Sequence, residues 1–492
     1  MNLTLSPSSL KDYLTFLKIK RLPQFSFIGR TAVFPDEYAG LLGCTAEPSI
    51  DLPYEPLPGL FDYQRDITAM AIRKRKYCVF ADCGLGKTLI FLEFVRHVDK
   101  CLPAGKKILI ASPLMVVRQT MQEAAKFYGG GLPLTQVVAR DLQSWLLSPD
   151  GRIGITNYDA LTDDIHQGRL GAMVLDESSM LKSHYGKWGQ KCLDLGSGLE
   201  WKMACTGTPA PNDRIEYANH AVFMDAFPTV NSFLARFFVN RGQTDNRWEL
   251  KPHALEPFYR ALSHWSIFLT DPATYGWHDN CETIPPIHVH IHDVPLTKEQ
   301  RDIMHGKTGM LFAPNAGGIT SRAVMGQLAK GSMDGEYVKT NKPAFIRRLV
   351  DSWAGESTII WCIYNREQDL MEETFPEAAS IRGETEYEER MAAVDKFKSG
   401  ELKILISKPK VLGFGLNLHI ATRQVFSGLQ DSYESYYQAV KRSNRYGAKF
   451  PLNVHIPITD LERPMIETVL DKASRVQSDT EEQERIFKHA ST

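Results

Sequence analysis

Long apolar runs are missing from this sequence, and so are paired cysteines, internal repeats and low-complexity tracts. No segment approaches the ~20 consecutive apolar residues that a membrane helix needs. The first residues, MNLTLSPSSLKDYL, have neither the basic start nor the apolar stretch of a secretory signal. These absences argue against a membrane protein, and we expect a cytoplasmic one. The missing repeats argue against a solenoid.

Cysteine pairs and excess charge are the other two features that the sequence lacks. Its eight cysteines are scattered without a Cys-x-x-Cys pair, which argues against a disulfide framework and against a thiolate zinc site. The formal charge is -1, so the field of the whole molecule offers nucleic acid little attraction. Any contact with nucleic acid would therefore come from a local basic track.

Short runs rich in Val, Ile and Leu do recur, and segments of helical length separate them. Strands that are buried on both faces and separated by helices are typical of parallel sheets in α/β domains. The sequence therefore predicts an α/β protein with two parallel-sheet domains in tandem. The predicted strands are 77–81, 107–112, 134–139, 152–156, 172–177 and 203–208 in the first domain, and 357–363, 402–407, 423–428 and 453–458 in the second.

Changes in composition divide the chain further. The stretch between the two α/β domains is aromatic and helix-like, and Pro285 and Pro286 mark its end. The last residues are polar, which predicts a solvated helix with a frayed end. The predicted segments are a small N-terminal accessory module (1–60), a first α/β domain (61–212), a helical protrusion (213–283), a second α/β domain (284–470) and a polar tail (471–492).

The most specific motif is Ala-Asp-Cys-Gly-Leu-Gly-Lys-Thr at residues 81–88, between an apolar strand and a helix-like run. A loop in this place presents backbone N–H groups and a helix N-terminus to phosphate oxygens. Lys87 would meet the terminal phosphates, and the Thr88 hydroxyl would ligate Mg²⁺. The alternative is a glycine-rich turn without a ligand, which the flanking strand and helix disfavour. The expected nucleotide contacts are Gly84, Leu85, Gly86, Lys87 and Thr88.

Two acidic residues end the strand predicted at 172–177. Asp176 would help Thr88 to hold Mg²⁺, and Glu177 would position and activate the attacking water. Taken alone, an apolar run that ends in Asp-Glu is more often a strand leading into a helix N-cap. Its place about ninety residues after the phosphate loop favours the catalytic interpretation.

The order of motifs from about residue 61 to 460 resembles superfamily 2 helicases, and among them the Swi/Snf-type DNA translocases. The resemblance rests on the motifs above, on Thr-Gly-Thr-Pro at 206–209, on the glycine-rich loop at 413–418 and on the arginine motif at 438–447. It implies two RecA-like domains, ATP and Mg²⁺ as cofactors, and double-stranded or branched DNA as the partner. It also implies that Gln64 reads the adenine edge and that Gly413, Gly415 and Gln438 belong to the nucleotide site.

The same resemblance implies where the domains touch DNA. The predicted contacts are Ser112, Pro113, Thr156, Asn157 and Tyr158 in the first domain, and Asn365, Ser407, Lys408 and Asn417 in the second. No protein partner is identified from the sequence, although replication, repair and restriction assemblies would all use such a motor. We expect a compact, monomeric member from a bacterial cell or a phage-infected host.

Arg442 and Arg445 are three residues apart and would share one helix face. Phosphoryl transfer gathers charge on the γ-phosphate, and a guanidinium delivered from another domain is worth about 10³–10⁵ in rate. A lone pair of this kind is more often a solvated basic helix end, but the intact first-domain site reverses that preference. The predicted catalytic residues are Lys87, Asp176, Glu177, Arg442 and Arg445.

One departure from the family pattern concerns coupling. After the two acidic residues this chain has Ser178 and Ser179, where the family usually has Ala-His, so the usual coupling side chain is missing. The sequence predicts a nucleic-acid-dependent ATPase that translocates on double-stranded DNA. A strand-separating or branch-remodelling helicase and a nucleotide-gated DNA-binding subunit of a larger assembly remain as alternatives.

Two further clusters are ambiguous from sequence. Lys18, Lys20 and Arg21 are interleaved with Phe16, Phe25 and Phe27, a mixture that suits a DNA branch or end as well as it suits packing and surface charge. His288, His290 and His292 alternate along a predicted strand and could share one face. Without an obvious fourth ligand, we interpret them as strand-face histidines and not as a metal site.

Overall fold

The computed structural model describes fourteen stretches of the chain. They are residues 2–22, 25–34, 38–43, 52–182, 186–211, 213–242, 248–278, 284–305, 319–333, 335–353, 355–412, 416–429, 433–445 and 447–490. The chain divides into two units, one of residues 1–279 with 479–492 and one of residues 280–478. Within the described stretches, the helices lack either the length or the apolar character needed to cross a lipid bilayer.

The first unit begins with a small antiparallel sheet and one helix. Its elements are β1 (Asn2–Thr4), α1 (Leu10–Ile19), β2 (Ser26–Ile28) and β3 (Thr31–Val33). The strand order is β1-β3-β2. Ser9 caps α1, since its hydroxyl accepts the backbone N–H of Asp12 at 3.2 Å. Ile19, Leu22 and Ala32 lie in a separate apolar core beneath the helix.

Six parallel strands form the centre of the first unit. They are β4 (Lys76–Ala81), β5 (Lys107–Ser112), β6 (Leu134–Gln136), β7 (Ile153–Asn157), β8 (Leu170–Asp176) and β9 (Trp201–Thr206). The helices between them are α2 (Asp62–Lys74), α3 (Lys87–Cys101), α4 (Leu114–Tyr128), α5 (Ala139–Leu147) and α6 (Lys187–Gly196). Each strand lies in or overlaps one predicted apolar run, because strands covered by helices on both faces are mostly apolar.

The segment predicted as a helical protrusion is only partly helical. It contains α7 (Tyr217–Phe223), α8 (Val230–Phe237), β10 (Phe238–Asn240), β11 (Trp248–Leu250), α9 (Leu255–Ser263) and β12 (Ser266–Leu269). β12 pairs in parallel with β4 and completes a seven-stranded sheet of order β12-β4-β9-β8-β5-β7-β6. The expectation failed for β12 because an apolar run of four residues does not distinguish a strand from a helix.

The second unit contains a six-stranded parallel sheet. Its strands are β13 (Ile287–Asp293), β16 (Thr358–Trp361), β17 (Ala379–Ile381), β18 (Ile404–Ser407), β19 (Arg423–Phe426) and β20 (Leu452–Ile458), in the order β13-β20-β19-β16-β18-β17; β14 (Ser332–Met333) and β15 (Glu336–Tyr337) form a separate hairpin. The helices are α10 (Lys298–Met304), α11 (Ile319–Ala329), α12 (Lys342–Asp351), α13 (Asn365–Thr374), α14 (Tyr387–Ser399), α15 (Pro409–Leu412), α16 (Tyr433–Val440) and α17 (Arg463–Ala490). The two parallel sheets with their helices confirm the tandem α/β fold.

The polar tail is a correction to the sequence interpretation. The end of α17, from residue 479, belongs to the first unit. Ile486 is buried in the main apolar core of that unit. The amide of Gln483 donates to the Tyr259 hydroxyl at 3.1 Å, and the Glu484 carboxylate accepts the backbone N–H of Thr270 at 2.9 Å. This end of the helix is therefore packed and not solvated, because its few apolar and hydrogen-bonding side chains share one face.

Candidate nucleotide and nucleic-acid site

The predicted phosphate loop connects the end of β4 to the start of α3. Gly84 and Gly86 have φ angles of +95° and +68°, which favour glycine. A Cβ at Gly86 would also lie 2.2 Å from the Gln64 amide nitrogen, so the Gln64 side chain would have to move to admit a larger residue. None of the described side chains caps the start of α3. Its first backbone N–H groups therefore remain available to an anion, as a phosphate site requires.

Lys87 is the first residue of α3, and its ammonium group lies over the loop. Nζ donates to the carbonyl of Ala81 at 2.7 Å and to that of Asp82 at 3.1 Å. These two bonds hold the charge next to the turn that would surround the terminal phosphates. Thr88 follows in the first helical turn and is partly exposed.

The two acidic residues lie at the same edge of the sheet as the loop. In the strand order, β9 alone separates β4 from β8, and all three strands are parallel, so their carboxyl ends are neighbours. Asp176 ends β8, and Glu177 follows with φ +51°. A positive φ is uncommon for a residue with a side chain and is often retained at functional sites. Both side chains are buried, at 6% and 8% exposure.

The electrostatics of Asp176 fit a cation site. Burial and the adjacent Glu177 raise its pKa to about 7, against the opposing effects of Ser112 and Lys87. The Ser112 hydroxyl donates to the carboxylate at 2.9 Å. The Thr88 hydroxyl and the Asp176 carboxylate are hard oxygen donors of the kind that Mg²⁺ prefers. The residues present therefore suit a magnesium nucleotide.

The start of α2 is tied to the phosphate loop. The Gln64 side chain accepts the N–H of Phe61 at 3.1 Å, and its amide donates to the Leu85 carbonyl at 3.4 Å. The Tyr63 hydroxyl donates to the same carbonyl at 3.1 Å. Trp277, which the sequence did not single out, has its ring centroid 6.5 Å from that of Tyr63. Aromatic rings thus stand beside the predicted adenine-reading residue.

The end of β9 packs against the phosphate loop. A Cβ at Gly207 would lie 3.3 Å from the Ala81 carbonyl and 3.6 Å from the sulfur of Cys83. The Thr206 hydroxyl accepts the N–H of Thr208 at 3.1 Å and fixes the turn. A shift of this Thr-Gly-Thr segment would therefore displace the phosphate loop, as a coupling motif requires.

A second residue missed by the sequence interpretation is His220, on α7. Its Nε2 lies 2.9 Å from the Ser178 hydroxyl, and both side chains are fully buried. The ring also meets Phe80 of β4 edge-on, with centroids 5.2 Å apart. Burial lowers the pKa of His220 to about 4. An imidazole from another segment thus lies beside the acidic residues, and no local sequence signal could have indicated it.

The predicted DNA contacts of the first unit differ in exposure. Ser112, Thr156 and Tyr158 are buried, and their hydroxyls bond to Asp176, to the Val137 carbonyl and to the Asp176 backbone. Their side chains therefore support the strand ends, and their contacts with DNA stay a prediction. Pro113 and Asn157 are partly exposed, and their contacts with DNA stay a prediction.

The second unit brings part of its predicted set together at the carboxyl ends of its strands. The Lys408 ammonium donates to the exposed Asn365 side chain. Ser407 is buried and donates to the Ile381 carbonyl at 2.8 Å, and its contact with DNA stays a prediction. Asn417 is partly exposed, and its side chain accepts the backbone N–H of His419 at 3.2 Å. Gly413 and Gly415 lie outside the described residues.

The arginine motif begins within α16, but the helix ends at Val440, so Arg442 and Arg445 lie in the turn after it and do not share the helix face that the sequence predicts. Gln438 is buried, and its amide donates to the Glu434 carboxylate at 3.3 Å. Arg442 is 1% exposed. Arg445 is partly exposed, and its Nε donates to the Lys441 carbonyl at 2.8 Å. The delivery of either guanidinium to a nucleotide stays a prediction.

The histidine stripe is the last of the predicted clusters. His290 and His292 stack on His455 of β20, with ring centroids 4.7 and 5.3 Å away. Among the described residues, no group of three or more His, Cys, Asp or Glu side chains could hold a metal ion. The described cysteines are free thiols: Cys78, Cys83, Cys101, Cys192, Cys205 and Cys362.

Comparison with known protein families identifies the family to which this chain belongs. The sequence matches the SNF2-related domain over residues 63–336 and the helicase conserved C-terminal domain over residues 341–447. The first match alone spans more than half of the chain. The chain belongs to the SNF2-related family. The expected Swi/Snf-type assignment is thereby confirmed, and the predicted class, a nucleic-acid-dependent ATPase, agrees with both matches.

Individual similar proteins show how far the similarity extends. The DNA repair and recombination protein RAD54-like of Danio rerio is 28% identical over 196 residues, 35% of this chain and 26% of the relative. Putative protein p41 of Acyrthosiphon pisum secondary endosymbiont phage 1 is 24% identical over 417 residues, 77% of this chain and 87% of the relative. The Sulfolobus solfataricus SWI2/SNF2 ATPase core in complex with dsDNA has a TM-score of 0.39 at 19% identity, with coverage of 89% and 96%. The chain therefore spans about a quarter of the RAD54-like relative.

Proposed function

We propose that the protein is an ATP-dependent double-stranded DNA translocase, which couples hydrolysis to movement along DNA or to its remodelling. The observation that carries the proposal is the convergence of Lys87, Asp176 and Glu177 on one sheet edge of an SNF2-related chain with a second α/β domain. Hydrolysis-driven movement requires residues that bind the phosphates, a buried pair of carboxylates and a second domain.

The residues of the first unit divide the chemistry among them. Lys87 and the N–H groups at the start of α3 bind the β- and γ-phosphates of ATP. Thr88 and Asp176 would hold Mg²⁺, which when bound supplies positive charge to the phosphate oxygens. Glu177 orients the attacking water and accepts its proton. Gln64 and its aromatic neighbours bind the base.

The second unit completes the cycle in this proposal. Arg442 and Arg445 supply positive charge to the γ-phosphate in the transition state. Asn157, Asn365, Lys408 and Asn417 contact the DNA backbone, which carries no sequence information, so the motor moves regardless of sequence. Binding of this kind weakens steeply as salt rises.

The setting and partners follow from the same proposal. DNA, double-stranded or branched, is the substrate track, and the name of the RAD54-like relatives supports DNA over RNA. The match to a phage protein supports the cytoplasm of a bacterial or phage-infected cell. We propose that the protein acts as a monomer.

The first experiment measures ATP hydrolysis with and without duplex DNA. Lys87→Ala removes the charge that binds the terminal phosphates, so DNA-stimulated hydrolysis should fall by roughly 10²–10³, as for the loss of one transition-state donor. Lys126→Ala, a change of an exposed lysine on α4, is the matched control and should keep the wild-type rate. Unchanged stimulation in Lys87→Ala would refute the proposal.

A second measurement separates the translocase from its alternatives. A translocase displaces the third strand of a triplex without unwinding the duplex, and duplex DNA stimulates its ATPase best. A helicase or branch remodeller instead responds to single-stranded, branched or RNA substrates and separates strands. A nucleotide-gated subunit binds DNA in response to ATP and does not hydrolyse it.

A further inference from the structure

The outer face of α1 is an apolar stripe that the described residues leave uncovered. Leu10, Tyr13, Leu14 and Leu17 are 74%, 57%, 52% and 39% exposed. Their spacing of i, i+3, i+4 and i+7 puts all four on one side of the helix. The opposite side contributes Ile19 to the core of the accessory module. This stripe, which we call the α1 face, lies before residue 63, where the family match begins.

A chain of aromatic rings leads from the α1 face into the rest of the unit. Tyr13 stacks on Phe16 with centroids 6.4 Å apart, and Phe16 lies 5.3 Å from Phe27. Phe27 in turn lies 5.9 Å from Phe25. Cations stand over two of these rings. The Lys20 ammonium is 5.5 Å from the Phe16 centroid, and the Arg236 guanidinium is 5.6 Å from that of Phe25.

The charge around the α1 face has one dominant sign. Residues 2–34 carry five basic side chains and one acidic side chain, in a chain whose formal charge is -1. The five basic side chains are all exposed: Lys11, Lys18, Lys20, Arg21 and Arg30. The acidic one, Asp12, is partly buried and accepts the backbone N–H of Ser6 at 2.8 Å. The occupant of this face is therefore an anion that also presents apolar surface.

We propose that the α1 face binds unpaired nucleotides at a branch or an end of nucleic acid. Bases that have left the stack bury their faces against aromatic and apolar side chains, while lysines and arginines neutralise the adjacent phosphates. A second copy of the chain is disfavoured because it would bring like charges together. An acidic amphipathic protein helix would pack on the leucines but would make no specific contact with the aromatic rings and the cations over them. Delivery of the motor to a junction rests on the proposed function, whereas the binding itself does not.

The test measures the anisotropy of a fluorescent dT20 oligonucleotide and of a forked duplex with the full-length protein and no ATP. The variant Tyr13→Ser/Leu14→Ser removes a stacking ring and an apolar contact from exposed positions. It should bind dT20 about tenfold more weakly, and its preference for forked over blunt duplex should fall towards one. Leu147→Ser, which changes another exposed leucine of the same unit at 58% exposure, should bind within twofold of wild type.

A charge-reversal variant tests the proposed phosphate contacts independently. Lys18→Glu/Lys20→Glu should weaken dT20 binding and reduce its salt dependence, whereas Lys396→Glu should not. Equal dT20 affinities for wild type, Tyr13→Ser/Leu14→Ser and the control would overturn the proposal. If an acidic amphipathic peptide with a leucine stripe lost affinity for that variant while dT20 did not, the face would be a protein site instead. Loss of stimulated hydrolysis in Lys87→Ala tests the motor separately, since these binding assays contain no ATP.

Discussion

The acidic motif lacks the histidine that is usual in the family, and an imidazole from α7 lies beside it. The usual family pattern puts histidine two residues after Glu177, and this chain has Ser179 there. His220 instead reaches Ser178 from α7 and also touches Phe80, on the strand that leads into the phosphate loop. The buried His220 ring therefore contacts both the acidic motif and the strand that leads into the phosphate loop, and it connects them to α7.

His220 and Ser178 should act as a unit in catalysis. Loss of one buried hydrogen bond costs about 1 kcal/mol or more, so His220→Ala and Ser178→Ala should each lower DNA-stimulated kcat roughly tenfold, with a smaller change in KM for ATP. His220→Gln keeps a hydrogen-bonding group and should restore part of the rate. The double variant should be no slower than either single one. Independent, multiplicative losses in the steady-state rates would show that the contact does not couple the two residues.

The same histidine predicts a pH dependence of stability. Its pKa is lowered from 6.5 to about 4 in the folded protein, so the unfolded chain takes up a proton first as pH falls. The stability that His220 contributes should thus be complete above pH 6.5 and be lost as pH falls towards about 4. Urea titrations of wild type and His220→Gln across this range should show a steeper decline in wild type. Parallel curves would argue against a buried neutral imidazole.

At the scale of elements, one buried carboxylate connects three helices of the second unit. Glu462, just before α17, accepts Lys330 after α11 and Lys342 at the start of α12, each at 2.8 Å. All three side chains are about 1% exposed. Burial alone would raise the pKa of Glu462, but the two ammonium groups hold it at about 2.

Glu462→Gln should destabilise the second unit by about 3–5 kcal/mol, because it leaves buried ammonium groups without their counter-charge. Glu401→Gln, in an exposed pair with Lys396 at 3.8 Å, should cost less than about 1 kcal/mol. Calorimetry of the full-length variants measures both. The contribution of Glu462 should be present above pH 4.5 and be lost as pH falls towards about 2. Equal melting of the two variants would contradict this.

The sequence predicted strands better than it predicted what joins them. Long buried runs such as 107–112 and 203–208 lay within about two residues of the observed strands, since every position of these strands is buried and most are apolar. β12 and the docked end of α17 were missed because their partners lie far away along the chain. The phosphate loop, Asp176 and Glu177 could be predicted because each lies in a local sequence motif. His220 and Trp277 could not, because they come from distant parts of the sequence.

For the whole molecule, the central finding is that the second unit is an insertion within the first. The chain leaves the first unit near residue 279 and returns at residue 479. Buried Ile486 and the bonds of Gln483 and Glu484 fix the returning segment. The backbone therefore joins the two units at two points.

A protease site inserted between residues 279 and 284 should cut the chain without separating the pieces. The second fragment would keep the end of α17, which packs into the first unit, so the nicked protein should elute as one species in gel filtration. Adding Ile486→Asp buries a charge in that core and should release the fragments, whereas Arg485→Ala, at an exposed position on the same turn, should not. Separation of the fragments without any substitution would show that the end of α17 does not hold them together.

This arrangement also sets an order of events on the ribosome. The first unit cannot complete its core when its sheet emerges, since Ile486 is synthesised only after all of residues 280–478. Until then the nascent chain must keep an apolar site open next to α9 and β12. Shielding of that site by a chaperone during synthesis would be a direct consequence of where residue 486 falls in the sequence.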